Sequence, residues 1–201
     1  SLLEDRRNYQ VLEKDPTPGL LVTVKGLVEQ ASTNGWITRK EADFLVNRYP
    51  VMPYFCCLPN VHKHPTSPPG RPIVSGIGSV LEPLSKFADA FLRPILQATG
   101  TYLKYNKDVL HLLNSIKFNP SNDILVGLGI ESLYNSLSQR ATLEVIEDVL
   151  FAQDWKFSTP KALVLECASL ALTPNFFRYE ETIYLQTHST STSSTFSPSI
   201  A

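Results

Sequence analysis

The sequence has no excess of either charge: 18 Lys+Arg stand against 19 Asp+Glu over 201 residues, a net charge of −1. A polyanionic partner would therefore have to be held by a local basic patch, because the overall field does not attract one. Cysteine is scarce. Cys56, Cys57 and Cys167 make no even disulfide framework, and two of them are chain neighbours that rarely bridge each other, which points to reduced thiols and an intracellular setting. Long apolar runs are missing too. No stretch approaches the roughly 18 apolar residues of a membrane span, and residues 1–10 lack the apolar stretch of a secretory signal. No membrane partner is expected, and no internal repeat is visible. What the chain does have is 43% hydrophobic against 18% charged residues, enough for one domain with a true core.

Apolar periodicity predicts where the elements lie. Leu20, Leu21, Val24, Leu27, Val28 and Ala31 recur at helical spacing until Gly35, which predicts an amphipathic helix stopped by glycine. Thr38 with Glu41 reads as a capping box for a second short helix ending by Tyr49-Pro50. Residues 1–50 thus read as a mostly helical segment, and 51–201 as the remainder of the fold. Tyr54 to Leu58 and Arg71 to Ser75 are β-prone, joined by a loop rich in Pro, His and Lys. Ser79 and Glu82 suggest a further capping box, opening a helix through Ile95 that Pro94 should kink or end. Helices are also expected over Lys107 to Ile116, over 140–152 and over 160–172, the last with Pro160 in its first turn. Ile124 to Leu128 reads as a strand buried on both faces, and Phe176 to Leu185 as a hairpin turning near Glu180. Thr187 to Ser199 is almost entirely Ser and Thr, by composition a low-complexity tail.

Four blocks carry a more specific signal. Leu58-Pro59-Asn60-Val61-His62-Lys63 and Pro68-Pro69-Gly70-Arg71-Pro72-Ile73-Val74-Ser75 resemble the fingers motifs of Penelope-like retroelement reverse transcriptases. Leu125 to Tyr134 is similar to that family's palm motif, in which an Asp precedes a Val-x-Ser-Leu-Tyr stretch. Tyr184-Leu185-Gln186-Thr187 and the residues after it are similar to its Gln-Gly-Thr-Ala-Met-Gly block. The likeness runs from about residue 8 to the end. It implies an α+β fold: a helical N-terminal segment, then fingers and an incomplete palm of a right-hand polymerase. It further implies RNA-directed DNA polymerase ancestry, an RNA template, a DNA primer and deoxynucleotides as partners, and a nuclear place of work.

The departures from the family pattern predict a degenerate site. Gly129 stands where the family has its first catalytic aspartate, His188 where it has Gln, Ser189 and Ser193 where it has glycines, and Asn60 where it has Lys. The second palm motif, with its paired aspartates, would lie beyond Ala201, and the chain reads as a fragment that opens on Ser1. Two-metal nucleotidyl transfer needs carboxylates to hold Mg²⁺, and a glycine supplies none. Asp123 lies six residues back, roughly 20 Å along a strand at about 3.3 Å per residue. Glu131 is adjacent but stands alone. No catalytic residue and no bound metal are expected.

By the same resemblance, Arg71 and Lys63 would grip nucleotide phosphates, a task that suits arginine's planar fork. Tyr134 would stack beneath the sugar, and His188 would shape the nucleotide pocket. Each also has a plainer reading: a solvated strand arginine, a loop lysine, a core aromatic. A zinc site at Cys56, Cys57, His62 and His64 is disfavoured, since vicinal strand cysteines point to opposite faces. Cys167 reads as a buried helix residue. Two other functions stay open: a noncatalytic nucleic-acid binder using Arg71, Lys63, Lys86 and Arg93, and an interaction fragment recognisable by a large exposed apolar patch.

Overall fold

The computed structural model describes residue 3 and residues 8–61, 64–68, 70–129 and 137–187, with Arg71 described by its backbone. Lys63, Glu131, Tyr134, His188, Ser189 and Ser193, for which the sequence carries expectations, and most of the Ser/Thr run lie outside the described residues. The fold is mixed α+β, with six helices and a five-stranded sheet among the described residues.

The first helix, α1 (Thr17–Thr33), starts where Asp15 accepts the Thr17 N–H at 2.8 Å, satisfying one of the orphan donors of its first turn. It ends as Gly35 predicts. Gly35 takes φ +68°, its N–H donates to Ser32 O, and the Trp36 N–H donates to Ala31 O, the paired bonds of a Schellman stop. The expected capping box opens α2 (Arg39–Leu45): the Thr38 Oγ1 accepts from the Glu41 N–H, and the Glu41 carboxylate accepts from the Thr38 N–H at 2.6 Å.

Helix α3 (Glu82–Gln97) departs from expectation at its N-terminus. Leu81, not Ser79, is its N-cap, with no side-chain cap bond. Glu82 does reach back, but to the Gly78 N–H at 2.8 Å, because a turn at 76–79 separates Ser79 from the helix. Pro94 lies inside the helix and does not end it. So near the C-terminus a proline removes only one i→i−4 bond, which the last turn tolerates. Three more helices follow: α4 (Asn106–Ser115), α5 (Gln139–Ala152) and α6 (Lys161–Leu172), with Pro160 as the N-cap of the last.

The strands are β1 (Tyr9–Leu12), β2 (Tyr54–Pro59), β3 (Gly70–Ser75), β4 (Phe176–Tyr179) and β5 (Thr182–Gln186), in the order β1-β5-β4-β2-β3. β1 is a strand that the helical reading of residues 1–50 did not contain; it runs antiparallel to β5, with Val11 opposite Tyr184. β2 and β3, expected as two strands joined by a loop, pair antiparallel; β4 and β5 form the expected hairpin, and β2 runs parallel to β4 with Tyr54 opposite Arg178.

The expected buried strand at Ile124–Leu128 is overturned. These residues form no ladder, and Ile124, Leu125, Val126 and Leu128 are all largely exposed. A strand buried on both faces requires pairing on both sides; in this fold the sheet edges are β1 and β3, and the chain at 119–123 closes instead into a turn in which Asp123 accepts the Asn119 N–H at 2.7 Å.

The core is helical. Val24 and Val28 of α1, Leu45 of α2, Leu84 and Leu92 of α3, Leu150 of α5, and Val164 and Leu172 of α6 are all buried in it. Phe91, Trp155 and Phe157 stack along its side. The sheet carries a second aromatic cluster, in which the fully buried Phe177 contacts Tyr9, Phe55 and Tyr184 with ring centroids 5.6–5.9 Å apart.

Candidate nucleic-acid interface

Hairpin β2–β3 carries two of the blocks singled out from sequence. Its register puts Leu58 opposite Arg71 and Pro59 opposite Gly70, so Arg71 stands one residue into β3. The glycine before it has a packing reason: a β-carbon at Gly70 would overlap the sulfur of Cys57. Cys57 is exposed and Cys56 half-buried.

The last of the four blocks begins on β5. Gln186 is buried, its N–H donates to Asn175 O at 2.7 Å, and the next N–H, of Thr187, donates to Asn8 O at 2.9 Å. A cavity of about 60 Å³ opens where β5 ends and the chain leaves β3, lined by Ser79, Glu82, Ser85, Asn175, Phe177 and Gln186 among others. Glu82 is held below the ordinary carboxylate range, first by the hydrogen bond from Lys86 and then by the Gly78 N–H and the Lys86 charge, with partial burial opposing.

Two of the four cations weighed for a nucleic-acid binder are already engaged. Lys86 Nζ lies 2.8 Å from Glu82, and Arg93 pairs with the buried Asp89, both at helical i,i+4 spacing. Such pairing leaves less net charge for a phosphate. Sequence reading passed over Arg178. It is exposed on β4, directly opposite the half-exposed Tyr54 of β2, an arginine beside an aromatic on a sheet surface. Only the strand register makes these two residues neighbours; 124 positions separate them, and no local pattern links them.

Gly129 is exposed, and a β-carbon there would meet nothing within 4 Å. Among the described residues no three His, Cys, Asp or Glu side chains come together as a metal group. Cys167 is inert: burial, with Glu166 adding, pushes its thiol up to about 12. No helix of the described residues is long and apolar enough to cross a membrane. Comparison with protein-family models, with curated proteins and with solved structures finds no match to this chain.

Proposed function

We propose that this chain descends from the reverse transcriptase of a Penelope-like retroelement, keeps a fingers-type surface for a primer–template, works in the nucleus, and does not itself polymerise. The reading rests on the motif resemblance. The single structural observation that supports it is that blocks more than a hundred residues apart become strands of one sheet: Leu58-Pro59 ends β2, Gly70-Arg71 opens β3, and Tyr184-Leu185-Gln186 lies on β5, separated from β2 only by β4. Nucleic-acid contact is further favoured by Arg178 beside Tyr54, since aromatic faces stack bases and arginine adds charge and cation–π attraction. The inactive reading rests on Gly129, which offers no metal ligand where the resembled motif has an aspartate.

The test is fluorescence anisotropy of a labelled RNA–DNA primer–template titrated with the chain at several salt concentrations, together with primer extension in Mg²⁺ and Mn²⁺. Binding should weaken linearly on a log–log salt plot as counterions compete. Tyr54→Ala should weaken it by about 5- to 150-fold, at about 1–3 kcal/mol per lost stacking contact, Arg178→Ala should weaken it and lower the salt slope by about one, and no extension product should appear. Undetectable binding at about 50 mM salt would sink the nucleic-acid reading. Extension by the unaltered chain would sink the inactive one.

A further inference from the structure

Helix α4 buries none of its residues, yet its sequence is strongly amphipathic. Val109 and Leu112 lie on one stripe, flanked at the two caps by Tyr105 and Ile116. The spacing of these four is 4, 3 and 4, the repeat of a coiled-coil seam. In that register the β-branched Val109 and Ile116 take one core position and Leu112 the other, the assignment that favours two parallel strands. Leu110 and Leu113 widen the stripe, and these six side chains are 38–61% exposed. Charge meets the stripe only at its N-terminal end, where Lys104 and Lys107 set their ammonium groups over the Tyr105 ring at 5.1 and 5.3 Å; Asp108 is occupied by the Lys104 and Tyr105 N–H groups at 3.0 and 2.8 Å.

We infer that α4 is the self-association face of this protein, and that its occupant is α4 of a second copy in parallel, two-fold arrangement. A two-fold axis along the helix would set Val109 against Val109 and Leu112 against Leu112 with no charge buried between them, the self-complementarity that an isologous contact requires. The area is small. The seam side chains Tyr105, Val109, Leu112, Leu113 and Ile116, 38–54% exposed, offer on the order of 450 Å² per copy, below the roughly 800 Å² that a standard interface takes from each partner and in the range of weak, transient contacts. A ten-residue helix is too short to hold a coiled coil alone, so the pair is concentration-dependent and modest in affinity. The inference is independent of the nucleic-acid reading, because none of its residues belongs to the β2–β3 or β4–β5 strands.

The test is sedimentation velocity of the whole chain under reducing conditions from about 1 to 200 µM, a span that brackets micromolar association. A monomer–dimer equilibrium is expected, and Leu112→Asp should shift its midpoint upward by at least tenfold with an unchanged circular dichroism spectrum. Val22→Asp, a charge placed at an exposed apolar position of α1, should leave the midpoint where it was. In a Cys57→Ala background, Leu112→Cys should form a disulfide-linked dimer on oxidation, because a parallel pair juxtaposes the two copies of that position. A monomer at every concentration, a dimer indifferent to Leu112→Asp, or no cross-link through position 112 would each overturn the proposal.

Discussion

The sulfur of Cys57 on β2 fills the space that a β-carbon at Gly70 on β3 would need. Gly70→Ala should therefore force Cys57 from its rotamer, destabilising the chain by about 0.5–1.5 kcal/mol, the scale of one displaced side-chain torsion. In a Cys57→Ala background the same change should be neutral or mildly stabilising, since a β-carbon normally helps a strand. Urea denaturation of the four proteins in the cycle measures the coupling, and strictly additive changes would refute the contact.

Glu180 turns the β4–β5 hairpin at φ +51°, a left-handed conformation in which a non-glycine residue is disfavoured. Glu180→Gly should raise stability by about 0.5–1 kcal/mol even though glycine loosens the unfolded chain. A lower melting temperature in the variant would show that the turn is not strained.

Acid should weaken the loop that joins β3 to α3. Glu82 has its folded pKa depressed below 4.5, chiefly by the hydrogen bond from Lys86. A depressed carboxylate contributes stability that is present above its unfolded pKa and lost as pH falls through the folded value. The urea midpoint of the native chain should therefore drop more steeply below about pH 4.5 than that of Glu82→Gln or Lys86→Met. Parallel curves for all three would remove Glu82 from the acid response.

The three thiols should separate by reactivity. Cys57 is exposed, Cys56 half-buried and Cys167 buried with its thiol pushed up to about 12, so at pH 8 an alkylating reagent should modify Cys57 first and Cys167 only after unfolding. Mass spectrometry after timed quenching reads the order. Early labelling of Cys167 in the native chain would mean that the α3–α6 core opens on that timescale.

Much of the fold was legible residue by residue. The Gly35 stop, the Thr38–Glu41 box, both strands of the β2–β3 hairpin and the Glu180 turn each rest on a few adjacent side chains, and each occurs where local chemistry puts it. The capping assignment at Ser79 and the strand at Ile124–Leu128 failed for another reason. The first depended on how the chain leaves β3. The second depended on a pairing partner, and an apolar run of five residues carries no information about what lies beside it. β1 was missed likewise, because four residues with little apolar alternation are made a strand by β5.

Of the candidate site, the sequence by itself determined which residue types are available: an arginine at 71 behind a glycine, and at 129 a glycine, which offers no metal ligand. Covalent order was enough for that, since neither statement needs a neighbour. Only the tertiary structure decided that Cys57 lies over Gly70, that Arg178 stands opposite Tyr54, that Lys86 and Arg93 are bound to their own helix, and that the stripe of α4 faces water. Each of these follows from strand register or helix packing, which are settled by the burial of the whole chain together and by no segment alone.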